Sequence, residues 1–484
     1  MDASHLVNFR ERELKLDVEP DWALPDLAPL TPIGGHIETV IVHLATTYFD
    51  TASRDLLAAG ATLRRRTGDS DVGWQLKVPD GDARTEIRAK LNGRGMPQQL
   101  RDLVAGVRSG EPLRALATLN TERTAHKLVA ADGTTLAEID DDRVSATVFG
   151  PRRRTTAWRE VEIELVDGDE TLLDRASREL LRAGAVAGTS TSKLARALSR
   201  PPHDGGADVS LGGLIRRYVT EQVDALLRGD IDLRRERDVS HPTRVAIRRL
   251  RSVLHVFSDT FEPARAQAFD GELSWFAGLL GDMRDSEVLR VHLDDAVASL
   301  PSEVVVGPVS ERIDRMLGSQ RDQAQAVVAK AMNGPRYFAL VRELKAWRDD
   351  PAFVNGCEPE GSVASRVRAA SKKVTTRVRS AAGQPDVHEA LHRARKAAKR
   401  ARYVAELAEP SMGKSARRLV TAAKSMQERL GGHQDSVIAS QFLIRAAREA
   451  GSAPGESSFT FGILWAREQE AARKTARQAR RAVQ

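Results

Sequence analysis

Glu11, Glu13 and Lys15 alternate in the run E-R-E-L-K, and side chains two apart on a β-strand point to the same face. For one such strand, the solvated outside of a sheet would be a sufficient account. The pattern recurs, however. Arg64 and Arg66 alternate, as do Gln75 and Lys77, then Arg84, Glu86 and Arg88, then Glu138, Asp140 and Asp142, and finally Glu160, Glu162 and Glu164. Carboxylate oxygens of Glu11, Glu13, Glu162 and Glu164 suit Mg²⁺ or Mn²⁺, while Lys15, Arg64, Arg66, Lys77 and Arg123 can hold several phosphates. A ligand that needs both signs is a metal–polyphosphate complex.

A second constellation lies in the C-terminal part. His241, Arg244, Arg248 and Arg251 are spaced to form one stripe of a helix, and they recur as His392, Arg395, Lys399 and Arg402, 151 residues later. Arg249 and Arg400 lie beside the stripes, Lys396 joins the edge of the second, and Lys372, Lys373, Arg377 and Arg379 form a further basic run. Leu280-Gly281 followed by Asp285-Ser286 recurs as Leu430-Gly431 and Asp435-Ser436, which points to internal duplication. A merely solvated face would carry acids at helical spacing, and both stripes have few. Regularly spaced, uncompensated cations fit a long phosphate polymer. Nucleic acid is the competing partner and the weaker one: aromatic residues are only 5% of the chain, and no stacking, zinc, Gly-rich or helix-turn-helix signature accompanies the cations.

Different elements must position these two sets. Residues 1–200 read as short alternating runs at Glu11–Val18, Thr39–Tyr48, Thr62–Thr67, Gly73–Val78, Arg84–Ala89, Ala125–Ala130, Thr135–Ile139 and Trp158–Leu165, joined by Gly- and Asp-rich turns such as 69–72, 79–83 and 131–133. Leu14, Leu63, Leu76, Ile87, Ile139, Val161 and Ile163 occupy the opposite face. A closed antiparallel barrel with a charged lumen accounts for both faces. Helical spacing at 50–60, 97–108 and 171–184 predicts helices packed outside it. The Pro- and Gly-rich segment 201–210 reads as a linker, and residues 211–484 as an all-α bundle with one strand candidate at Ser302–Val309.

Composition sets the class. The 484 residues are 41% hydrophobic and 29% charged, enough for more than one core. The net charge of +7 divides into −3 over residues 1–200 and +10 over 201–484, with +13 in 351–484 alone, so a polyanionic partner belongs to the C-terminal part. Cys357 is the one cysteine, which excludes disulfide scaffolds and cysteine-cluster metal sites and predicts a reducing cytoplasm. With no long apolar run for a membrane span or a signal peptide, neither a membrane partner nor export is expected.

E-R-E-L-K at 11–15, Y-F-D-T at 48–51, L-R-R-R at 63–66, W-Q-L-K at 74–77, R-T-E at 84–86, the strand carrying Arg123 and W-R-E-V-E-I-E-L at 158–165 together resemble the CYTH domain of the triphosphate tunnel metalloenzymes. That family includes class IV adenylyl cyclases, thiamine triphosphatases and inorganic triphosphatases. Lys193, in T-S-K-L, matches a late basic position of the family. The resemblance implies an eight-stranded antiparallel tunnel, open at both ends, that binds a triphosphate and a divalent metal. It further implies metal-assisted attack of water on a terminal phosphorus. Glu11 and Glu13, with Glu162 and Glu164, would fix the metal, and Glu11, Glu13 and Lys15 form the catalytic set. Lys15, Arg64, Arg66, Lys77, Arg84, Arg123 and Lys193 would hold substrate. Glu86, Asp142 and Glu160 are then groups behind these ligands, ligands of a second ion, or structural partners of nearby arginines.

H-P-T-R-V-A-I-R-R-L-R-S at 241–252, L-H-R-A-R-K-A-A-K-R-A-R-Y at 391–403, L-G-D-M-R-D-S at 280–286 and L-G-G-H-Q-D-S at 430–436 resemble the CHAD domain, a helical domain often fused behind a CYTH domain. The resemblance implies two pseudo-symmetric bundles whose basic faces meet in a polyphosphate-binding groove. His433 fits the family's second histidine position, whereas Met283 stands at its counterpart. The expected architecture is an α+β chain: a tunnel domain at 1–200, a linker at 201–210 and a helical domain at 211–484. The expected function is hydrolysis of inorganic triphosphate in a cytoplasmic protein that binds inorganic polyphosphate and associates with polyphosphate granules. The alternatives are a class IV-type adenylate cyclase or thiamine triphosphatase working in the same tunnel, and, in another class, a non-catalytic polyphosphate-binding adaptor.

Overall fold

The computed structural model describes residues 6–69, 72–81, 83–91, 95–190, 192–199, 208–237, 239–356, 359, 361–381 and 387–481, the side chains of 387–388, 430–431, 433–434 and 476–481 apart. Part of the expected 69–72 and 79–83 turns, residues 201–207 of the expected linker, Cys357 and the side chain of His433 lie outside these described residues. The chain divides into two compact units, Met1–Asp204 and Gly205–Gln484.

The first unit is a closed antiparallel barrel. Its strands are β1 (Val7–Val18), β2 (His36–Asp50), β3 (Thr62–Gly68), β4 (Gly73–Asp80), β5 (Ala83–Ala89), β6 (Arg114–Val129), β7 (Thr135–Val148) and β8 (Arg154–Leu165), with a two-residue strand β9 (Val186–Ala187) added outside β1. The order is β5-β4-β3-β2-β6-β7-β8-β1, and β1 closes the ring by pairing β5 through Val7–Glu11 and β8 through Arg12–Val18. Closure leaves no long free edge and fixes which face of every strand is inside. β6 and β7 run much longer than the expected Ala125–Ala130 and Thr135–Ile139: the added residues include Arg123 and Asp142, opposed across the two strands, and Ala117, Leu119, Val144 and Ala146, buried in a small core of their own.

Among the described residues, five α-helices accompany the barrel: α1 (Asp55–Ala58), α2 (Gln98–Leu103), α3 (Ala105–Arg108), α4 (Glu170–Arg182) and α5 (Lys193–Leu198). The Asp169 carboxylate caps α4 by accepting from the Leu172 N–H at 2.9 Å. Leu172, Ala176 and Leu180 of α4 are buried on the outward-facing Leu16, Ile139, Val161 and Ile163. The alternate positions that carry no charge therefore face this helix and form a core outside the barrel.

α5 is the element that alternation could not show, since six residues are too few to display a period. Ser192 caps it, accepting from the Ala195 N–H at 3.1 Å. Its Leu194, Ala197 and Leu198 are buried against Tyr48, Ala117, Leu119, Val144 and Ala146, which share strand faces with lumen residues such as Arg123 and Asp142. The lumen is thus stoppered by α5 at one end, where the resemblance implied an opening at both.

The second unit is all α: α6 (Leu211–Arg234), α7 (Ser240–Val256), α8 (Pro263–Ala298), α9 (Val309–Met332), α10 (Pro335–Asp349), α11 (Val363–Ala381), α12 (Val387–Leu407), α13 (Glu409–Met412), α14 (Lys414–Gly451) and α15 (Phe459–Arg481). The succession α6–α7–α8–α9 is repeated by α11–α12–α14–α15, each helix packing on the next, and α7 packs on α12. Ala394, Ala398 and Ala401 keep the inner face of α12 thin enough for close approach of Val374 and Val378 of α11. Leu293, Ile313, Phe442 and Phe461 form a core shared by α8, α9, α14 and α15. The expected strand near Ser302–Val309 is instead a single 3₁₀ turn at Ser302–Val304 followed by the start of α9. Pro301, Gly307 and Pro308 interrupt the run, and the Val306 N–H bonds the Thr460 hydroxyl at 2.9 Å rather than a strand partner. Among the described residues no helix is long and apolar enough to cross a membrane.

Candidate active site

Strand register stacks the charges of the lumen in rows. Glu13 lies opposite Glu164, and Lys15 opposite Glu162, across β1 and β8. Lys77 lies opposite Glu86 across β4 and β5, and Arg123 opposite Asp142 across β6 and β7. Directly opposed side chains on one face are within reach of each other. Glu11, Glu13, Lys15, Arg64, Arg66, Lys77, Arg84, Glu86, Arg123, Glu162, Glu164 and Lys193 therefore line a single lumen, and their side chains leave only about 60 Å³ between them. A wider opening of about 470 Å³, walled by Leu181 of α4 and Gly188–Ser190, shares Glu11, Glu13, Lys15 and Arg84 with it.

The contacts divide the lumen into two regions. Around α5, Lys193 Nζ lies 2.9 Å from Asp142, 2.9 Å from Glu160 and 2.7 Å from Glu162. Arg123 bonds Asp142 at 2.7 Å and Glu162 at 3.0 Å, and also pairs with Asp140. Lys15 pairs with Glu162 and lies 3.3 Å from Glu13. Burial alone would raise the Glu162 carboxyl, but Lys15, Lys193 and Arg123 outweigh it and hold it well below the usual range. Asp142 and Glu160 thus serve as partners of the cations around α5.

The other region is electrostatically strained. Lys77 Nζ is 2.5 Å from Glu11 and 3.2 Å from Glu86, and Arg64 lies 3.5 Å from Glu86. Burial, a hydrogen bond with Glu86 and the neighbouring carboxylates push Glu11 up to about 8, against the pull of Lys77. Glu86 moves the other way, held well below its ordinary value because Arg64 and Lys77 outweigh its burial, so the shared proton resides on Glu11. Burial and Glu13 raise Glu164 despite Lys77. Across from these acids, burial and the charges of Arg64 and Arg123 bring Arg66 down to about 10. A crowded acidic wall faces a crowded basic one.

Tyr48 was not singled out as a site residue by sequence. Its hydroxyl accepts from Arg64 Nη1 at 3.4 Å, and Arg64, Arg66 and Lys193 outweigh burial to lower its pKa. The Y-F-D-T run at 48–51, already part of the resemblance, was the available signal. Among the described residues, no three acids converge as a ready-made cation cage, and Lys77 and Lys15 pair with the carboxylates of Glu11 and Glu162.

Lys193 is expected to be the costliest single cation of the barrel to remove. It is buried and neutralises three carboxylates at once, and Lys193→Ala leaves them with fewer partners in a low-dielectric lumen. Breaking a buried pair of this kind costs about 3–5 kcal/mol. A chemical-denaturation midpoint within error of the parent would contradict its role as the anchor of the acids around α5.

In the helical unit, α7 and α12 bring their stripes together. His241, Arg244 and Arg248 line one cavity of about 390 Å³ with His392, Arg395 and Lys399, joined by Arg284, Asp285, His292 and Asp435. Arg244 donates to Asp285 at 2.9 Å and reaches the Gly281 carbonyl at 3.4 Å; a Cβ at Gly281 would sit 3.2 Å from the guanidinium. Burial, Arg395, Arg248 and Arg244 depress Lys399 to about 7, and burial with the same crowding lowers His241 and Arg248. The other stripe members point elsewhere. Arg251 bonds Asp270 at 2.8 Å, Arg402 bonds Glu406 at 2.8 Å, and Lys396 is exposed away from the cavity lining. His292, Arg284 and Asp435 come from α8 and α14, outside the stripe pattern that sequence could read; His292 is also 2.7 Å from Glu468.

Residues 10–198 match the CYTH domain and residues 217–444 match the CHAD domain. An uncharacterised protein of Mycobacterium tuberculosis strain H37Rv is 34% identical across an alignment that covers 98% of this chain and 96% of that protein. Among solved structures, PptA from Streptomyces chartreusis is 22% identical with a TM-score of 0.48, over 57% of this chain and 99% of that one. A putative adenylyl cyclase from Hippeastrum, described as having a dominant triphosphatase activity, is 16% identical with a TM-score of 0.24, over 41% of this chain and 100% of that one.

Proposed function

The chain belongs to the family that joins a CYTH domain to a CHAD domain, and from that premise we propose that its barrel hydrolyses inorganic triphosphate with a divalent metal while its helical unit binds inorganic polyphosphate. The observation that carries the reading is the opposition, in one lumen, of carboxylates that repel one another and cations that repel one another. Cross-pairs such as Lys77 with Glu11 and Lys15 with Glu162 offset only part of that repulsion. A dication neutralises the acids and a polyanion neutralises the bases, and a metal–triphosphate complex brings both.

The residues fit a hard cation. Glu11 and Glu164 are held protonation-prone by burial and neighbouring carboxylates, and Glu13 faces Glu164 across two strands; oxygen donors so crowded suit Mg²⁺ or Mn²⁺. Glu11, Glu13, Glu162 and Glu164 would hold it, and when bound it polarises a phosphoryl oxygen and favours ionisation of water. Arg64, Arg66, Lys77, Arg84 and Arg123 hold the phosphate chain, and Lys15 stabilises charge that builds on its oxygens as the terminal phosphorus is attacked. Lys193, Asp142 and Glu160 keep the strands of this wall in place. Polyphosphate held by the helical unit would keep the enzyme at polyphosphate granules in the cytoplasm.

The test is phosphate release from inorganic triphosphate with Mg²⁺, with Mn²⁺ and with a chelator, alongside product analysis with ATP and with thiamine triphosphate. Metal-dependent release from triphosphate is expected to be the fastest reaction. Faster formation of cyclic AMP from ATP, or faster turnover of thiamine triphosphate, would replace the substrate. Binding of triphosphate without turnover would leave a clamp instead of an enzyme.

Glu11 gives this reading a pH signature. Its folded value of about 8 lies above the ordinary carboxylate range, so a metal must compete with a proton for that site. At sub-saturating metal, hydrolysis should rise with pH through about 8 and then level off. Stability runs the opposite way: the contribution of Glu11 is complete below its unfolded pKa and lost as pH climbs through about 8. The metal-free protein should therefore melt lower at alkaline than at neutral pH, and the metal should restore it. A metal requirement that does not change with pH would remove Glu11 from the ligand set.

A further inference from the structure

The basic run of Lys372, Lys373, Arg377 and Arg379 is not part of the cavity between the two stripes, yet the fold gives half of it a place. Arg366, Ala369, Ala370, Lys373 and Arg377 recur at helical spacing along one face of α11. That face closes a separate pocket of about 190 Å³ with His255 and Val256 of α7 and Ala397 and Arg400 of α12. His255 lies 14 residues beyond His241 on α7, about 21 Å along the helix at the usual rise. Arg400 is on another side of α12 from the stripe residues Arg395 and Lys399. The pocket therefore shares helices with the central cavity but no lining residue.

Its charge is one-sided. Among the described residues, Lys373 and Arg400 have no acidic side chain in ion-pair range, and Arg377 donates to the Arg393 carbonyl at 3.2 Å. Asp270 is bonded by Arg251 at 2.8 Å and lies 3.6 Å from His255, and Asp259 pairs with Arg366. Burial and the charges of Arg377 and Arg251 lower Arg400 despite Asp270, and burial and Arg400 lower His255. The side chains of Val256, Ala369, Ala370 and Ala397, which complete the lining, carry no hydrogen-bond acceptor. Its volume would hold about six waters at ~30 Å³ each, and so one or two phosphoryl groups. Cations crowded around a small concave space with an inert floor are how a compact anion is bound without a competing carboxylate.

We propose that the pocket among α7, α11 and α12 is a second anion site of the helical unit, one that takes one or two phosphoryl groups independently of the cavity between the histidine–arginine stripes. The phosphoryl groups have two sources. They are a stretch of the same polyphosphate chain, continuing past the stripes, or a separate small phosphate such as pyrophosphate.

The experiment titrates the full chain with pyrophosphate and with long polyphosphate, in chelator so that nothing turns over, and follows the heat and the His255 imidazole resonances. Two variants are compared with the parent. Lys373→Ala with Arg400→Ala removes two cations, and Ala369→Phe fills the pocket from an exposed position while keeping every charge. Circular dichroism checks the fold, and Ala369→Phe carries the test if the double variant does not fold. Both variants should bind one pyrophosphate fewer than the parent, and His255 should cease to respond. A parallel loss of about tenfold or more in polyphosphate affinity assigns the pocket to the polymer, whereas unchanged polymer affinity assigns it to a separate small phosphate. Pyrophosphate stoichiometry and His255 response that match the parent in both variants would overturn the site. So would loss in the charge variant with full binding in Ala369→Phe, since the cations would then act as a diffuse field and not as a pocket.

Discussion

Lys15→Ala is expected to lower metal-dependent phosphate release from triphosphate by about 10²–10³ in kcat, the usual loss when one pre-placed electrostatic stabiliser is removed. The change should leave the barrel folded. Glu162, the partner of Lys15, keeps Lys193 at 2.7 Å and Arg123 at 3.0 Å, so no buried carboxylate is left uncompensated. The same reasoning separates Lys15 from Lys193, whose removal strips three acids of a shared partner. A steady-state comparison with the melting temperature decides it. If kcat stays within about threefold of the parent, Lys15 does not act on the reacting phosphate; if activity and stability fall together, its role is structural.

Changing Arg244, Arg248, Arg395 and Lys399 together to alanine should weaken long-polyphosphate binding by about 10⁴-fold, taking roughly 1.5 kcal/mol for each charge-assisted contact. The dependence of log K on log salt should become shallower by about 3 if each cation contacts one phosphate of a single strand. These four side chains crowd one cavity, where burial with Arg244 and Arg395 lowers the proton affinity of Arg248 and Lys399, so removing them should not lower the melting temperature and relief of repulsion should raise it. Cations kept at a cost to stability are a signature of a binding site. Lys399, near 7 before binding, should be driven fully charged by the polyanion, so binding should take up protons and strengthen as pH falls through about 7. Triphosphate hydrolysis in the barrel should be unchanged. Equal polyphosphate affinity in the quadruple variant would remove the stripes from the site, and tighter binding of duplex DNA or RNA than of polyphosphate would change the partner.

Much of this protein was legible in its residues, and the reason is periodicity. Glu11, Glu13 and Lys15 could be put on one face because a strand's side chains alternate, and the same alternation on seven further runs required a closed sheet with a charged interior. The i, i+3, i+7 spacing of His241, Arg244 and Arg248 put them on one helical stripe for the same kind of reason. The recurrence of that stripe 151 residues later announced the duplication of the helical succession. Local geometry of this sort is a property of the chain alone.

The tertiary structure decided what periodicity cannot reach: which charges meet across space and which are already satisfied. No spacing rule tells that α5 stops one end of the lumen, or that Lys193 spans Asp142, Glu160 and Glu162 and so ties these acids down. Glu11 and Glu13 share one face of β1, yet one is pushed up to about 8 and the other is drawn down by Lys15 and Lys77 despite its burial, because Glu86 arrives from β5 beside Glu11 and Lys77 from β4 adds to the pull of Lys15 on Glu13. Arg251 belongs to its stripe by spacing, but Asp270 of α8 claims it, while Arg248 and Lys399 are left facing each other. Sequence fixes the direction a side chain leaves its own element, whereas its charge state and its freedom to bind depend on residues brought within a few ångströms by other elements, and electrostatic energy in a buried lumen is governed by that distance.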